Sequence, residues 1–147
     1  MIKKILLVSL TILWMSVIFI YSNQQDVTSD KVSGSFINNT IVRIYKVFNS
    51  DASEKEIETV LSFWNYPVRK VAHFTEYLIL GILAFFTLKE FGVKNIYVMF
   101  LLCFLYAYSD EFHQLFVVGR NGNFFDVILD TFGSITGIII FHKIYLK

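Results

Sequence analysis

Residues 106–137 read YAYSDEFHQLFVVGRNGNFFDVILDTFGSITG, and they hold Asp110, Glu111, Asp126, Asp130, His113 and Arg120 together with four of the seven glycines. Both flanks are apolar: IYVMFLLCFLYAY (96–108) leads into the stretch and IIIF (138–141) follows it. Charges embedded in apolar segments are costly, and they usually face a protein interior or a wet cavity. The stretch therefore reads as a polar cluster presented at one face of a membrane by the apolar segments around it.

The bulk numbers agree. The 147-residue chain is 55% hydrophobic and 17% charged, with mean hydropathy +0.57, against about 45–50% apolar and about 25% charged in soluble domains. Its length allows one domain, residues 1–147. The net charge of +1, with no basic patch interleaved with aromatics, gives no sign of a nucleic-acid partner. Cys103 is the sole cysteine, so neither an internal disulfide nor a multi-cysteine metal site is available.

Working outward, the sequence predicts an all-α integral membrane fold with four transmembrane helices at about 5–21, 68–88, 96–118 and 124–146. Ile5–Tyr21 is just long enough to span. A signal peptide is the rival reading, but bulky Ile20 and Tyr21 stand where a peptidase needs small residues. Residues 22–66 form the long outer loop. Within it, 36–48 and 52–64 carry apolar residues at helical spacing, which predicts one or two amphipathic extracytoplasmic helices in the bilayer interface. A small soluble loop domain is the alternative. Asp51 or Ser53 is placed to cap the second piece, each with a glutamate three residues on. Pro67 suits the first turn of the second span.

With a cytoplasmic N-terminus, Lys3, Lys4, Lys89, Lys94, Lys143 and Lys147 fall inside, as the bias of lysine and arginine near helix ends requires. Both termini are then cytoplasmic. Arg69, His73, Glu76 and Tyr77 share one helix face. Asp110 and His113 repeat the i,i+3 spacing of His73 and Glu76, and Gln114 joins their face. Glu111 flanks that face and reaches Gln114 rather than His113. Asp126, Asp130, Gly133 and Gly137 form a further stripe, whose glycines allow a neighbouring helix to come close. The second span starts, the third ends and the fourth starts on the same side, so all three motifs meet in the extracytoplasmic leaflet.

RKVAHFTEYLILG (69–81), followed by the stretch 108–137, resembles the VanZ-like family of small bacterial membrane proteins. The likeness rests on Arg69, Lys70, His73, Phe74, Glu76 and Tyr77, then Asp110, Glu111, His113, Gln114 and Phe116, then Gly119, Arg120 and Asp126. Residues 21–33, YSNQQDVTSDKVS, are similar to the segment after that family's first helix. Val118 stands where relatives often carry proline, and Asp130 where many carry asparagine. The resemblance implies a multi-pass protein of the cytoplasmic membrane and bacterial cell envelope, and associates it with resistance to the glycopeptide antibiotic teicoplanin.

Several chemistries suit these groups. His73, Glu76, Asp110, Glu111 and His113 are the candidates for acid/base work or ligand contact, a histidine beside a carboxylate being the usual arrangement. Arg69, Gln114, Arg120, Asp126 and Asp130 are candidate ligand-binding residues, with the arginine forks suited to phosphate or carboxylate. His73, Glu76, Asp110 and His113 also have the type and spacing of a divalent metal site with nitrogen and oxygen ligands. A hydrogen-bonded network that only holds the bundle together fits the same spacing. Besides the lipid bilayer, the expected partner is an anionic lipid, a wall precursor or a glycopeptide. No serine elbow, phosphate loop or HExxH motif names a hydrolase or kinase. Proton-coupled transport is disfavoured, because the charges occupy one leaflet of a short chain without repeats.

Overall fold

The computed structural model describes residues 1–23, 34–118 and 122–145, and for 34–37 the backbone alone. These residues form five helices: α1 (Ile2–Ser22), α2 (Gly34–Phe48), α3 (Glu54–Glu90), α4 (Ile96–Gln114) and α5 (Phe124–Tyr145). No strand occurs among the described residues.

Each boundary has a local cause. Ser53 caps α3 in a reciprocal box: its backbone N–H donates to Glu56 Oε2 at 2.8 Å, and the Glu56 N–H donates to Ser53 Oγ. At the far end Gly92, at φ +83°, takes the left-handed conformation that L-residues avoid. This lets the Val93 N–H return to the Leu88 carbonyl at 2.9 Å. Asn95 Oδ1 accepts from the Tyr97 N–H at 2.9 Å to start α4, and Asn123 Oδ1 accepts from the Phe125 N–H at 3.0 Å to start α5.

Three expectations change. The amphipathic piece at 52–64 and the span at 68–88 are one continuous helix of 37 residues, with Pro67 inside it rather than in its first turn. Proline removes one backbone hydrogen bond, and the capped residues before it and the apolar residues after it carry the helix through. At about 1.5 Å per residue α3 is about 55 Å long, well beyond a hydrocarbon core of about 30 Å. Secondly, α4 ends at Gln114 and not Val118, because 115–118 fold into turns. Thirdly, among the described residues three helices rather than four are long and apolar enough to cross a membrane by length and composition: α1, α3 and α5. The expected third span, α4, falls short because its last turn is DEFHQ. The amphipathic expectation for 36–48 corresponds to α2, which packs on α3.

In lipid the hydrophobic effect does not drive helices together, so close packing and interhelical hydrogen bonds must do so. The closest pair is α3 with α5. A methyl added at Gly133 would lie 2.5 Å from the Phe74 carbonyl oxygen, and one at Gly137 would collide with the Leu78 carbonyl. From the other side, Gly81 faces the backbone of Ser134. The expected glycine stripe is thus a contact seam. Thr11 and Thr87 hydroxyls (2.8 Å), Trp14 Nε1 donating to the Glu76 carbonyl (2.9 Å) and the Tyr106 hydroxyl donating to the Met15 carbonyl (2.6 Å) tie α1 to α3 and α4. One core layer gathers Ile18, Tyr77, Leu80, Ala107 and Val127; a second gathers Ala84, Phe85, Met99, Cys103 and Ile138. Leu13 on α1, Leu101 on α4, and Phe132 and Ile140 on α5 remain exposed, an exterior suited to hydrocarbon.

Candidate functional site

The first core layer ends in polar side chains. Asp110, Glu111, Gln114 and Asp130 are each no more than 4% exposed, so a patch predicted from charge spacing is part of the interior. Helix α3 supplies Lys70, His73 and Tyr77 from one face; α4 supplies Asp110, Glu111 and Gln114 from its last turns; α5 supplies Asp126 and Asp130 from its first two.

Polar contacts cross between these elements. Lys70 forms an ion pair with Asp126, both side chains less than one-fifth exposed. His73 Nδ1 lies 3.5 Å from Asp130 Oδ1, at ion-pair distance but without hydrogen-bond geometry. The Tyr77 hydroxyl donates to Asp110 Oδ2 at 3.1 Å. The Asn123 backbone N–H donates to Glu111 Oε2 at 2.9 Å, joining the start of α5 to the end of α4. Within α4, Gln114 Nε2 donates to Glu111 Oε1 at 3.2 Å and, more weakly, to Asp110 Oδ2 at 3.5 Å. The i,i+3 reach from Glu111 to Gln114 is the one read from spacing.

The arrangement is incompletely satisfied. Both carboxylate oxygens of Asp130, Asp110 Oδ1, His73 Nδ1 and His113 Nε2 are buried without a hydrogen-bond partner. Buried polar atoms normally have one, and each exception needs a reason. Carboxylates outnumber bases in this interior, and burying an uncompensated charge costs several kcal/mol, about 3–5 when one partner of a pair is removed. The geometry therefore suits a group that brings positive charge or several donors.

The expected quartet of His73, Glu76, Asp110 and His113 does not emerge as the candidate metal-ligand group. Donor atoms of His73, Glu111 and Asp130, one from each of three helices, lie within 4.8 Å of one another instead. His113 turns toward α1 and stacks on Phe19, with ring centroids 4.5 Å apart. Glu76 and Arg69 are half-buried on α3, and Arg120 lies outside the described residues. Asp126 engages Lys70, while the N-cap oxygen at the start of α5 belongs to Asn123. Sequence reasoning left Lys70 and Tyr77 out of the candidate residues although both lie in the first motif, and Tyr77 follows His73 by four residues on the same face. Asn123 had only its place in the turn to mark it.

Two cavities adjoin the cluster. One of about 150 Å³ lies beside Glu111, between Tyr108, Leu115, Asn123 and Val127. The other, about 270 Å³ and almost wholly apolar, opens between α1, α3 and α4 and is lined by Met15, Leu80, Ala84, Cys103 and Tyr106 among others. The Tyr106 ring that bounds it lies 6.1 Å from that of Tyr77, whose hydroxyl reaches Asp110. The polar cluster and the apolar cavity are thus adjacent along the bundle.

No curated protein and no solved structure matches the chain. A family model described as VanZ/LLP1 matches residues 7–146, nearly its whole length. The aligned span takes in most of α1, the charged ends of α3, α4 and α5, and the glycine seam that packs them, and the chain belongs to the VanZ/LLP1 family.

Proposed function

We propose that this protein is a binding protein of the bacterial cytoplasmic membrane, taking a lipid-anchored anionic component of the envelope. Its polar headgroup would engage the charged ends of α3, α4 and α5, and an acyl chain would occupy the apolar cavity. The observation that carries this reading is adjacency: the polar end of the bundle, which holds Lys70, is joined through the Tyr77 and Tyr106 rings to an apolar cavity of about 270 Å³. An amphipathic ligand has both parts, whereas a soluble anion would leave the cavity unused. Arg69, Lys70 and Arg120 are the residues we assign to a phosphate or carboxylate, through the planar fork of arginine and the point charge of lysine, with Lys70 shared between the ligand and Asp126. Helix α4 would complete a four-helix membrane bundle with its DEFHQ end in the extracytoplasmic headgroup region, and the termini would lie in the cytoplasm.

Mass spectrometry of lipids retained by the purified chain tests this. A phospholipid or lipid-linked wall precursor should co-purify with the parent protein. Its amount should fall in Lys70→Ala, which removes a head contact, and in Ala84→Phe, which fills the cavity; melting curves would confirm that both variants fold. An identical lipid complement in both folded variants would refute the reading. Following the family resemblance, susceptibility to a teicoplanin-type glycopeptide is the cellular phenotype to follow in the same strains. The competing reading is a scaffold, favoured by the Lys70–Asp126, Tyr77–Asp110 and Asn123–Glu111 contacts that join helices. It expects the same substitutions to lower stability without changing the retained lipid.

A further inference from the structure

We propose that His73, Glu111 and Asp130 form a binding site for one divalent cation, of the Zn²⁺ or Mn²⁺ class. The residues come from α3, α4 and α5, and their donor atoms lie within 4.8 Å of one another. His73 Nδ1 and Asp130 Oδ1 are 3.5 Å apart. Two ligands of a tetrahedral ion with bonds of about 2.1 Å lie about 3.4 Å apart, so this edge already has the required length. Glu111 supplies the third corner, with a carboxylate oxygen within 4.8 Å of both.

Three further features point to a cation rather than to a pairing among the residues themselves. Asp130 is completely buried, yet neither of its oxygens has a hydrogen-bond partner, and His73 Nδ1 has none either. Glu111 is held from behind by Gln114 and by the Asn123 N–H, one on each oxygen. That is how a metal-ligating carboxylate is usually oriented, since each oxygen keeps a lone pair for the ion. The charges also balance, because two carboxylates and a neutral imidazole around a dication sum to zero. A low-dielectric interior favours that state over two uncompensated anions.

One nitrogen and two oxygens are a borderline-to-hard donor set, which suits Zn²⁺ or Mn²⁺ and is ill suited to the softer Cu⁺. Three protein ligands also leave coordination positions open. With the ion bound, the interior would no longer repel an anionic headgroup, but the metal site itself does not depend on the lipid reading.

The test uses the full chain purified with a histidine-free tag, stripped with chelator and titrated with Zn²⁺ or with Mn²⁺ alone. Elemental analysis should find saturable uptake of one ion per chain, with a rise in melting temperature. X-ray absorption of the loaded protein should show nitrogen and oxygen neighbours only. His73→Ala and Asp130→Asn should each weaken uptake by about a hundredfold or more, beyond the effect of losing an outer partner. His142→Ala, in the last turn of α5, should leave it unchanged. Absent saturable uptake by the parent chain would overturn the proposal. So would sulfur scattering from Cys103, or unchanged uptake in both ligand variants. If either variant fails to fold, the uptake and absorption spectrum of the parent still decide. Because the probe is the metal alone, this result is independent of whether any lipid is retained.

Discussion

Replacing Gly133 by alanine sets two opposed effects against each other. In a helix interior alanine is favoured over glycine by about 1 kcal/mol, so an uncrowded position would gain stability. At Gly133 the new methyl would lie 2.5 Å from the Phe74 carbonyl oxygen and 3.3 Å from the Leu78 nitrogen, all of it backbone that no rotamer change can clear. Restoring ordinary contact requires α5 to move by about 1 Å from α3, and overpacking of this kind typically costs about 1–3 kcal/mol. Crowding should win, giving a net loss of up to about 2 kcal/mol. Unfolding in mixed micelles, followed through the tryptophans, would measure it. Phe132→Leu, at a neighbouring position that is 61% exposed, should stay within about 0.5 kcal/mol of the parent. The same shift would separate His73 from Asp130, so Gly133→Ala should also weaken the metal uptake proposed above. An alanine variant as stable as the parent, or more so, would refute the close-packed seam. Ser134, the adjacent residue, makes a poor control because it is fully buried and its backbone faces Gly81.

The Lys70–Asp126 pair should show a coupling of about 0.5–3 kcal/mol in a double-mutant cycle of Lys70→Ala and Asp126→Asn, since both side chains are largely buried. Additive losses would mean that the two side chains act separately. For membrane orientation, a reporter fused after Lys147 should read as cytoplasmic and a tag near Asp51 should be reached from outside the cell. A C-terminus found outside would place the charged helix ends in the opposite leaflet.

Much of the local structure follows from nearest neighbours along the chain. The Ser53–Glu56 box and the reach from Glu111 to Gln114 each involve residues within one turn, so spacing alone exposes them. The glycine stripe was legible for a related reason: residues four apart share a face, and Gly133 and Gly137 share theirs with Asp126 and Asp130. Pro67 misled because its usual place is a helix start, while here the helices on either side of it are continuous.

Composition and periodicity by themselves determined the helical class and the apolar segments, the order of those segments put three charged motifs at one end of the bundle, and the motif residues themselves carried the resemblance to the VanZ-like family. Only the tertiary structure decided which charges meet. His73 and Glu76 lie on one helix, and so do Asp110 and His113, which made those pairs visible in the sequence. The group that converges is His73, Glu111 and Asp130, each from a different helix. Its formation depends on how far α5 slides and rolls against α3 and α4, and the backbone contacts of Gly81, Gly133 and Gly137 set that placement. Helix periodicity ranks the faces within one helix, but it carries no information on the rotation of one helix against another. That rotation turns His113 toward Phe19 and brings Glu111 into the centre.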